Sequence, residues 1–412
     1  KNNRILQIRK KKKKRMSVNI GEGFVVDQAK LQNYIEDEFV NKRKSPILIP
    51  HPNPKSKEKF LPLDIVENNL TDRAKNHYDI VMLTIPSVYP PTSLDDFNYF
   101  FNDKGELRNK SKPDEPFHFI SQRHYEAIGD FIARDIQLRM INECGLQEVW
   151  LPEDNTTTQL DSLKITAMDQ QKLLKNNIFL TPDALTADKL LLLIQGSGAV
   201  RAGQWARALC MNESLETGSQ LGYIKQAQQE GYGIIVFNPN LNRIPRIDVP
   251  DQYTKKGFYM TDKPAPLNRS DYENIPEHDT PPQHTITVWD KFASRAAAKD
   301  IVIVAHSAGG YCTMSLLGAR HKNVLEKLRG VAFTDSVHSV MSSDPKPVQE
   351  FIAKNAINWV TSEKKLDTLV RPASRMSCEC RSAGHTKHEN TSASCITSAF
   401  KFLSDKIVQY NS

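Results

Sequence analysis

Residues 301–310 read IVIVAHSAGG, and this stretch decides the fold. Its first five residues are apolar, which indicates a buried strand, and two glycines open the amphipathic segment that follows. A serine between a strand and a helix is typical of a nucleophile elbow, a sharp turn that exposes the serine hydroxyl at the edge of a sheet. The positions two before and two after the serine must be small because strand and helix nearly touch, and here they are Ala305 and Gly309. The stretch therefore predicts an elbow at Ser307.

Strands and helices alternate on both sides of this turn. Apolar strands are predicted at residues 190–196, 233–240 and 329–335, with two further strands at 356–362 and 375–384. Helices are predicted at residues 201–230, 287–299 and 310–321. Continuous apolar strands that alternate with helices are typical of a parallel sheet covered on both faces. The predicted fold class is α/β, with a doubly wound, mostly parallel sheet of the α/β-hydrolase type.

Three further regions surround that sheet. Residues 1–90 are basic and rich in Lys, Asn and Pro, so largely irregular structure with a disordered start is expected, apart from a helix near residues 28–41. Residues 91–152 are expected to form a helical extension, since apolar residues recur at helical spacing between residues 121 and 145. Residues 153–410 form the α/β domain, and the polar, Pro-rich stretch 241–284 within it predicts a lid or a disordered insertion.

A hydrolase of this fold needs a histidine base, which follows the serine and the acid along the chain. Residues 382–389, SAGHTKHE, come after the last predicted strand, so His388 or His385 is the best-placed base. His321 lies at the end of a helix, which is poor geometry for a base. His338 is more typical of an ordinary partner on a loop.

Two aspartates compete for the role of the acid. Asp335 follows the first strand after the elbow, and Asp367 follows the second, which suits the usual loop position better. The oxyanion hole would use the N–H of Ala308 and the backbone of the glycine loop at Gly196 and Ser197. Ser-Ala-Gly-Gly turns also serve as close-packing turns without chemistry, and the residues alone leave both interpretations open.

Charge and composition narrow the partners. The 412 residues carry a formal net charge of +7, and the seven basic residues RKKKKKR, from Arg9 to Arg15, account for all of it. Such a run predicts nuclear import or a weak nucleic-acid contact through one short tail. The longest purely apolar run, residues 190–194, is far below the roughly 20 residues of a membrane span, so no membrane segment is expected. Six cysteines without framework or ligand spacing predict reduced thiols, no metal and no cofactor.

Several unusual strings are found between Ser93 and Leu403, notably VRAGQWAR at residues 200–207 and TDSVH at residues 334–338. Others are FNDKGELR, RHYEAIGD, LTPDALTADKLLLLIQGSG, EGYGIIVFNPN, NWVTSEKKLDT and SAGHTKHE. Through these strings the chain resembles the Argonaute-binding Arb-two domain proteins, including their animal cotranscriptional-regulator branch. The resemblance covers about three-quarters of the chain and leaves out residues 1–92.

The resemblance implies an interaction protein with an α/β-hydrolase-like fold, present in nucleus and cytoplasm. The resemblance also implies that the protein acts in RNA-linked gene silencing or in chromatin or splicing regulation, with Argonaute-type or chromatin-associated partners. By position, Ser307 matches the family's elbow serine and His388 its late histidine. Relatives often carry His-Gly where this chain has Gln195 and Gly196. The favoured hypothesis is a docking body, and the alternative is an active esterase- or thioesterase-like serine hydrolase.

Overall fold

The computed structural model describes residues 16–20, 24–42, 49–75, 91–119, 122–153, 163–170, 173–246, 268–371 and 378–412. The basic run from Arg9 to Arg15, and with it the disordered start expected from the sequence, lies outside these ranges. The chain divides into two compact units. The smaller comprises residues 1–90, 119–125 and 251–264, and the larger comprises residues 91–118, 126–250 and 265–412.

Among its described residues up to Glu67, the smaller unit contains a short hairpin and two α-helices. Strands β1 (Ser17–Asn19) and β2 (Val25–Asp27) pair antiparallel, and the helices are α1 (Gln28–Glu36) and α2 (Leu63–Glu67). The helix expected near residues 28–41 is present because Asp27 caps it, accepting hydrogen bonds from the next residues' backbone, and a π-helical turn (Asp37–Asn41) continues it. The described residues of this unit also bury a small apolar core, so the region is more ordered than the largely irregular structure expected from the sequence. The core consists of Ile20, Leu31, Ile35, Phe39, Ile49, Leu61, Val66 and Ala74.

The larger unit is built on a sheet of nine strands within the described residues, in the order β14-β15-β13-β12-β11-β7-β8-β6-β5. These strands are β5 (Gln147–Leu151), β6 (Asn176–Leu180), β7 (Lys189–Ile194), β8 (Gly233–Val236), β11 (Asp300–His306), β12 (Leu328–Thr334), β13 (Ala356–Val360), β14 (Leu369–Val370) and β15 (Glu379–Ser382). Two short antiparallel pairs lie apart from it: β3 (Tyr99–Phe101) with β4 (Leu107–Asn109), and β9 (Arg243–Pro245) with β10 (Tyr272–Asn274). The predicted division at residue 152 stays a prediction, and β5, which precedes it, belongs to the central sheet.

The sheet is mostly parallel, as the sequence predicts. β8, β7, β11, β12, β13 and β15 run in one direction, whereas β6 and β14 run against their neighbours. β11 lies between β7 and β12 and is buried along its whole length. Its alternate side chains pack into two separate hydrophobic cores, one on each face of the sheet. Ile301, Ile303 and Ala305 belong to one core, and Val302 and Val304 belong to the other. The sheet is therefore covered on both faces, and the doubly wound α/β class is confirmed.

Helices cover both faces of the sheet. The α-helices that follow the smaller unit's α2 in the described residues are α3 (Gln122–Asn142), α4 (Ala167–Gln170), α5 (Arg207–Asn212), α6 (Leu215–Gly218), α7 (Leu221–Gln229), α8 (Pro281–Lys291), α9 (Gly309–Lys327), α10 (Lys346–Asn355), α11 (Thr391–Ser394) and α12 (Ile396–Asn411), and α7, α8, α9, α10 and α12 supply residues to the two cores of the sheet. Among the helices of the described ranges, none combines the length and the hydropathy that a membrane crossing requires.

The stretch 241–284 is neither wholly irregular nor wholly described. β9 and β10 pair within it, and residues 247–267 lie outside the described ranges. The sequence predicts that the next helix begins at residue 287, which is wrong, because α8 begins at Pro281. Thr280 caps this helix by accepting a hydrogen bond from the N–H of Gln283, and proline at the first helical position needs no hydrogen-bond partner for its nitrogen. The string TPPQ is therefore the overlooked helix-start signal.

Candidate active site

Ser307 forms the predicted elbow between β11 and α9. Its φ is 51°, in the left-handed region that costs a residue with a Cβ atom about 1–3 kcal/mol. The Ser307 N–H donates to the carbonyl of Thr334 at 3.0 Å, and its own carbonyl accepts from the N–H groups of Gly310 (3.1 Å) and Val337 (3.2 Å). The bonds to Thr334 and Val337 tie the turn to the end of β12 and the residues after it, and the bond from Gly310 closes the turn into α9. The serine side chain is left partly exposed at the carboxyl edge of the sheet.

Two glycines allow the strand, the turn and the helix to approach so closely. A Cβ atom on Gly309 would meet the carbonyl oxygens of Ile194, which ends β7, and of Gln195, which follows it. A Cβ atom on Gly196 would lie 2.8 Å from the Cβ of Ser307. The glycine loop after β7 is therefore packed directly against the serine. Helix and strand touch as an elbow requires.

His388 and Asp335 form a hydrogen-bonded pair, with His388 Nδ1 2.7 Å from Asp335 Oδ2. A carboxylate oxygen can only accept, so Nδ1 carries the proton and Nε2 is the basic nitrogen. The bond to Asp335 raises the pKa of His388 above its ordinary value, against the opposing effect of partial burial. Burial raises the pKa of Asp335, but the His388 bond and the N–H of Thr361 bring it below its ordinary value. The aspartate is thus ionised and its histidine is made more basic.

The backbone aims Asp335 at His388. Its φ is 44°, and its N–H donates to the carbonyl of Trp359 in β13 at 2.7 Å. The second carboxylate oxygen accepts from the N–H of Thr361 at 3.2 Å. The carboxylate that follows β12 is therefore held by the neighbouring strand, and its free edge faces the imidazole.

The expectation that Asp367 is the better acid does not fit the structure. Its two oxygens accept from Trp359 Nε1 at 2.8 Å and from Ser398 Oγ at 2.6 Å. The chain after β13 turns back to form β14, which runs antiparallel to β15. This return places Asp367 beside β13 and α12, where it links the two, and leaves Asp335 with His388.

The other histidines do not join the pair. His385 Nδ1 accepts the N–H of Lys387 at 3.0 Å, which closes a local turn. His338 is buried, and its ring stacks on Phe333 with centroids 4.0 Å apart, as expected of a loop partner. His321 lies within α9. Of the two late histidines weighed as the base, the structure brings only His388 to an acid.

Two of the proposed oxyanion donors, Ala308 and Gly196, adjoin Ser307. Ala308 precedes the first residue of α9, where helix N–H groups have no partner within the helix and the helix dipole is positive. Gly196 is buried against the serine, whereas Ser197 is exposed. Among the described residues no hydrogen bond joins the Ser307 hydroxyl to His388. In hydrolases such bonds are often long or absent until substrate binds.

Sequence reasoning missed the two asparagines that hold the glycine loop. Asn240 Nδ2 donates to the carbonyls of Gly196 at 2.7 Å and Val200 at 3.2 Å. Asn238 Oδ1 accepts the N–H of Ala202 at 3.1 Å. The signal was the polar string NPN directly after a predicted apolar strand. These side chains fix the backbone that would have to donate to an oxyanion.

The six cysteines take no part in the hydrogen bonds given above for Ser307, His388 and Asp335. All six are buried and none forms a disulfide. Cys378 Sγ lies 3.6 Å from His338 Nε2, on the opposite side of that ring from its bond to Ser336. Within the described part of the chain, no group of three or more His, Cys, Asp or Glu side chains is placed to hold a metal ion.

The fold and this geometry define a class of protein. The serine follows β11, its aspartate follows β12, and its histidine follows β15, all at the carboxyl edge of one sheet. This is an α/β protein of the hydrolase type, in the chain order serine, acid, histidine. The model of the Arb2 domain family matches residues 90–366, and the chain belongs to that family.

Relatives of known description support the same family. A protein of Gallus gallus described as "Cotranscriptional regulator ARB2A homolog" is 37% identical over 79% of this chain and 83% of its own. "Cotranscriptional regulator ARB2A" of Homo sapiens is 37% identical over 76% of this chain and 80% of its own. Among solved structures, the histone deacetylase Clr3 aligns with a TM-score of 0.41 and 13% identity, over 68% of this chain and 39% of that one. That structural likeness is too weak to carry a functional argument.

Proposed function

We propose that this chain is a cotranscriptional regulator that acts through protein partners. The observation that carries the proposal is 37% identity, across 79% of the chain, to a protein described as such a regulator. The α/β body would supply the docking surface, and the partners would be Argonaute-type or chromatin-associated proteins. Because a cotranscriptional regulator acts on nascent transcripts, the proposal includes a nuclear location, with a cytoplasmic pool as its further part. The basic run from Arg9 to Arg15 would add a nucleic-acid contact.

The test of this function is complementation in the organism that encodes the chain. Removing the protein should change the splicing or abundance of nascent transcripts, measured by sequencing chromatin-bound RNA. Wild type and Ser307→Ala should restore the pattern equally if docking alone is the function. Unchanged nascent transcripts after removal of the chain would refute the regulator proposal.

A second candidate function is serine hydrolysis, and one specific observation favours it. A serine at a φ of 51° follows β11, and a His388–Asp335 pair 2.7 Å apart lies at the same edge of the sheet. A turn kept only for packing needs neither a strained serine nor a histidine made basic by an aspartate. The substrate class this arrangement fits is an acyl ester, thioester or amide.

In that reaction, Ser307 Oγ forms a bond to the acyl carbon while its proton passes to His388 Nε2. Asp335 holds the imidazole through Nδ1 and stabilises the imidazolium that results. The carbonyl electron pair moves to oxygen, where N–H groups of Ala308 and the glycine loop would stabilise it. When the tetrahedral intermediate collapses, His388 returns the proton to the leaving alcohol, thiol or amine. Water then repeats the sequence and releases the acid.

The test is covalent labelling with an alkyl fluorophosphonate, followed by mass measurement and peptide mapping. Wild type should gain one phosphonyl group, which Ser307→Ala abolishes. Ser342→Ala, which changes an exposed serine in a loop away from the elbow, should label as wild type does. Labelling that persists in Ser307→Ala, or that never occurs in folded wild type, would reject hydrolysis while leaving the regulator proposal intact.

A further inference from the structure

His306 precedes the elbow serine, and its ring packs against the ring of His388. The ring centroids are 4.7 Å apart and the planes are inclined by 34°, within the range of favourable aromatic pairs. On another side the His306 ring meets the edge of Trp205, with centroids 6.2 Å apart. Gly196 also packs against the His306 ring, since a Cβ on Gly196 would lie 3.3 Å from His306 Cδ2. His306 is only 3% exposed, so its ring has one well-defined place.

A hydrogen bond places one ring proton of His306, and burial keeps the ring neutral. Its Nδ1 lies 2.9 Å from the carbonyl oxygen of Thr334, which can only accept, so Nδ1 carries the proton. Burial, and then the nearby His388, lowers the pKa of His306 to about 4. The ring is therefore neutral at physiological pH, with its proton directed away from His388 into the sheet.

The two rings have opposite tasks. His388 is made basic by Asp335 and would become positively charged when it takes the serine proton. A neutral aromatic ring beside an imidazolium attracts it, whereas a second imidazolium would repel it. The His306 ring also blocks one face of His388, which limits rotation of that imidazole about its side-chain bonds. His388 is 42% exposed on its side chain, so this contact supplies much of the restraint that burial does not.

We propose that His306 is a positioning residue, whose ring, packed against the ring of His388, holds that imidazole in the plane that joins Asp335 to Ser307. The inference rests on the second candidate function, serine hydrolysis at Ser307. It assigns a purpose to a residue that the elbow motif itself does not require, since the motif fixes only the serine and its small neighbours.

Two substitutions separate this role from a structural one. His306→Phe keeps a flat ring and loses the N–H that bonds Thr334. His306→Asn keeps a short N–H donor for Thr334 and loses the ring. If the ring positions His388, the Phe variant should behave as wild type and the Asn variant should be impaired. If the bond to Thr334 is what matters, the order reverses.

Two measurements read the outcome. The proton shared by His388 Nδ1 and Asp335 should give a downfield NMR signal in wild type and His306→Phe, and it should be lost in His306→Asn. The rate of fluorophosphonate labelling should be about 10- to 100-fold lower in His306→Asn across the pH range, since small misplacements of a base cost factors of this size. The acid limb of the labelling profile should keep its wild-type midpoint in His306→Phe and move in His306→Asn. Thermal unfolding confirms that each variant folds, and His306→Gln replaces the Asn variant if that one does not.

The inference is overturned if His306→Asn keeps both the downfield signal and the wild-type rate, or if His306→Phe loses them. If wild type shows the signal but takes up no phosphonate, hydrolysis is rejected. The NMR comparison of the two variants then still decides whether the ring of His306 positions His388.

Discussion

The close approach at the elbow predicts that one added methyl group has opposite effects at two positions of the same helix. In Gly309→Ala the new Cβ would press on the carbonyl oxygens of Ile194 and Gln195, the latter at 3.0 Å. Ile194 ends β7 and pairs with Ala305 of β11, and Gln195 follows it, so neither backbone oxygen can move aside as a flexible side chain could. Overpacking of this kind costs about 1–3 kcal/mol.

Gly318, nine residues further along α9, is the matched control. A Cβ there would meet nothing within 4 Å, and the position is exposed. Gly318→Ala should therefore gain about 0.5–1 kcal/mol, the advantage of alanine over glycine within a helix. Two chemically identical substitutions on one helix should thus differ by roughly 1.5–4 kcal/mol in the free energy of unfolding.

Urea unfolding of the full chain, followed by far-UV circular dichroism, measures this difference. The expected order of midpoints is Gly318→Ala above wild type and wild type well above Gly309→Ala. If Gly309→Ala unfolds at or above the wild-type midpoint, helix α9 does not lie against β7 as described. The elbow, and the active-site geometry that depends on it, would then be wrong.

Three further predictions follow from individual contacts. Asp335→Asn should lower the pKa of His388, because the carboxylate bond raises it, whereas Asp367→Asn should leave it unchanged; an NMR titration of the His388 ring compares the two. Burial lowers the pKa of His278 to about 4, so the free energy of unfolding should fall as the pH drops from about 6.5 toward 4. The fall is up to about 1.4 kcal/mol per pH unit for this group, and His278→Phe should flatten that slope in urea titrations. Arg134→Leu should lower the free energy of unfolding by about 3–5 kcal/mol in the same assay, because the buried carboxylate of Glu148, 3.0 Å from Arg134, loses its counter-charge. A loss below about 1 kcal/mol would show that the pair is not buried.

The elbow could be predicted because its determinants are local. An apolar run of strand length, a serine flanked by small residues and an amphipathic segment lie within 301–321, and the structure places a strand, a turn and a helix there. The parallel sheet was predictable for the same reason, since fully apolar strands such as β7 and β11 report burial on both faces. Strand β6 was missed because its antiparallel run depends on neighbours that are distant in sequence.

The choice of acid could not be read from the sequence, because it depends on how a loop folds back. Asp335 and Asp367 both follow a predicted strand, so the sequence around them gives the same signal for both. Even the backbone does not separate them, since both have a positive φ. The return of the chain as β14 removes Asp367 to Trp359, and that return is a tertiary event. The packing of His306 on His388 is likewise invisible in sequence, since the two residues are far apart along the chain.

The central structural claim is that Ser307, His388 and Asp335 form one site at the carboxyl edge of the sheet. A crystal structure of the chain after reaction with an alkyl fluorophosphonate tests this claim most directly. The account predicts phosphorus bonded to Ser307 Oγ, with its oxygen about 2.7–3.1 Å from the N–H of Ala308 and from the glycine loop at Gly196. His388 should remain bonded to Asp335 and face the adduct through Nε2. An unmodified Ser307 in treated crystals, or a phosphonyl oxygen directed away from both sets of amides, would contradict it.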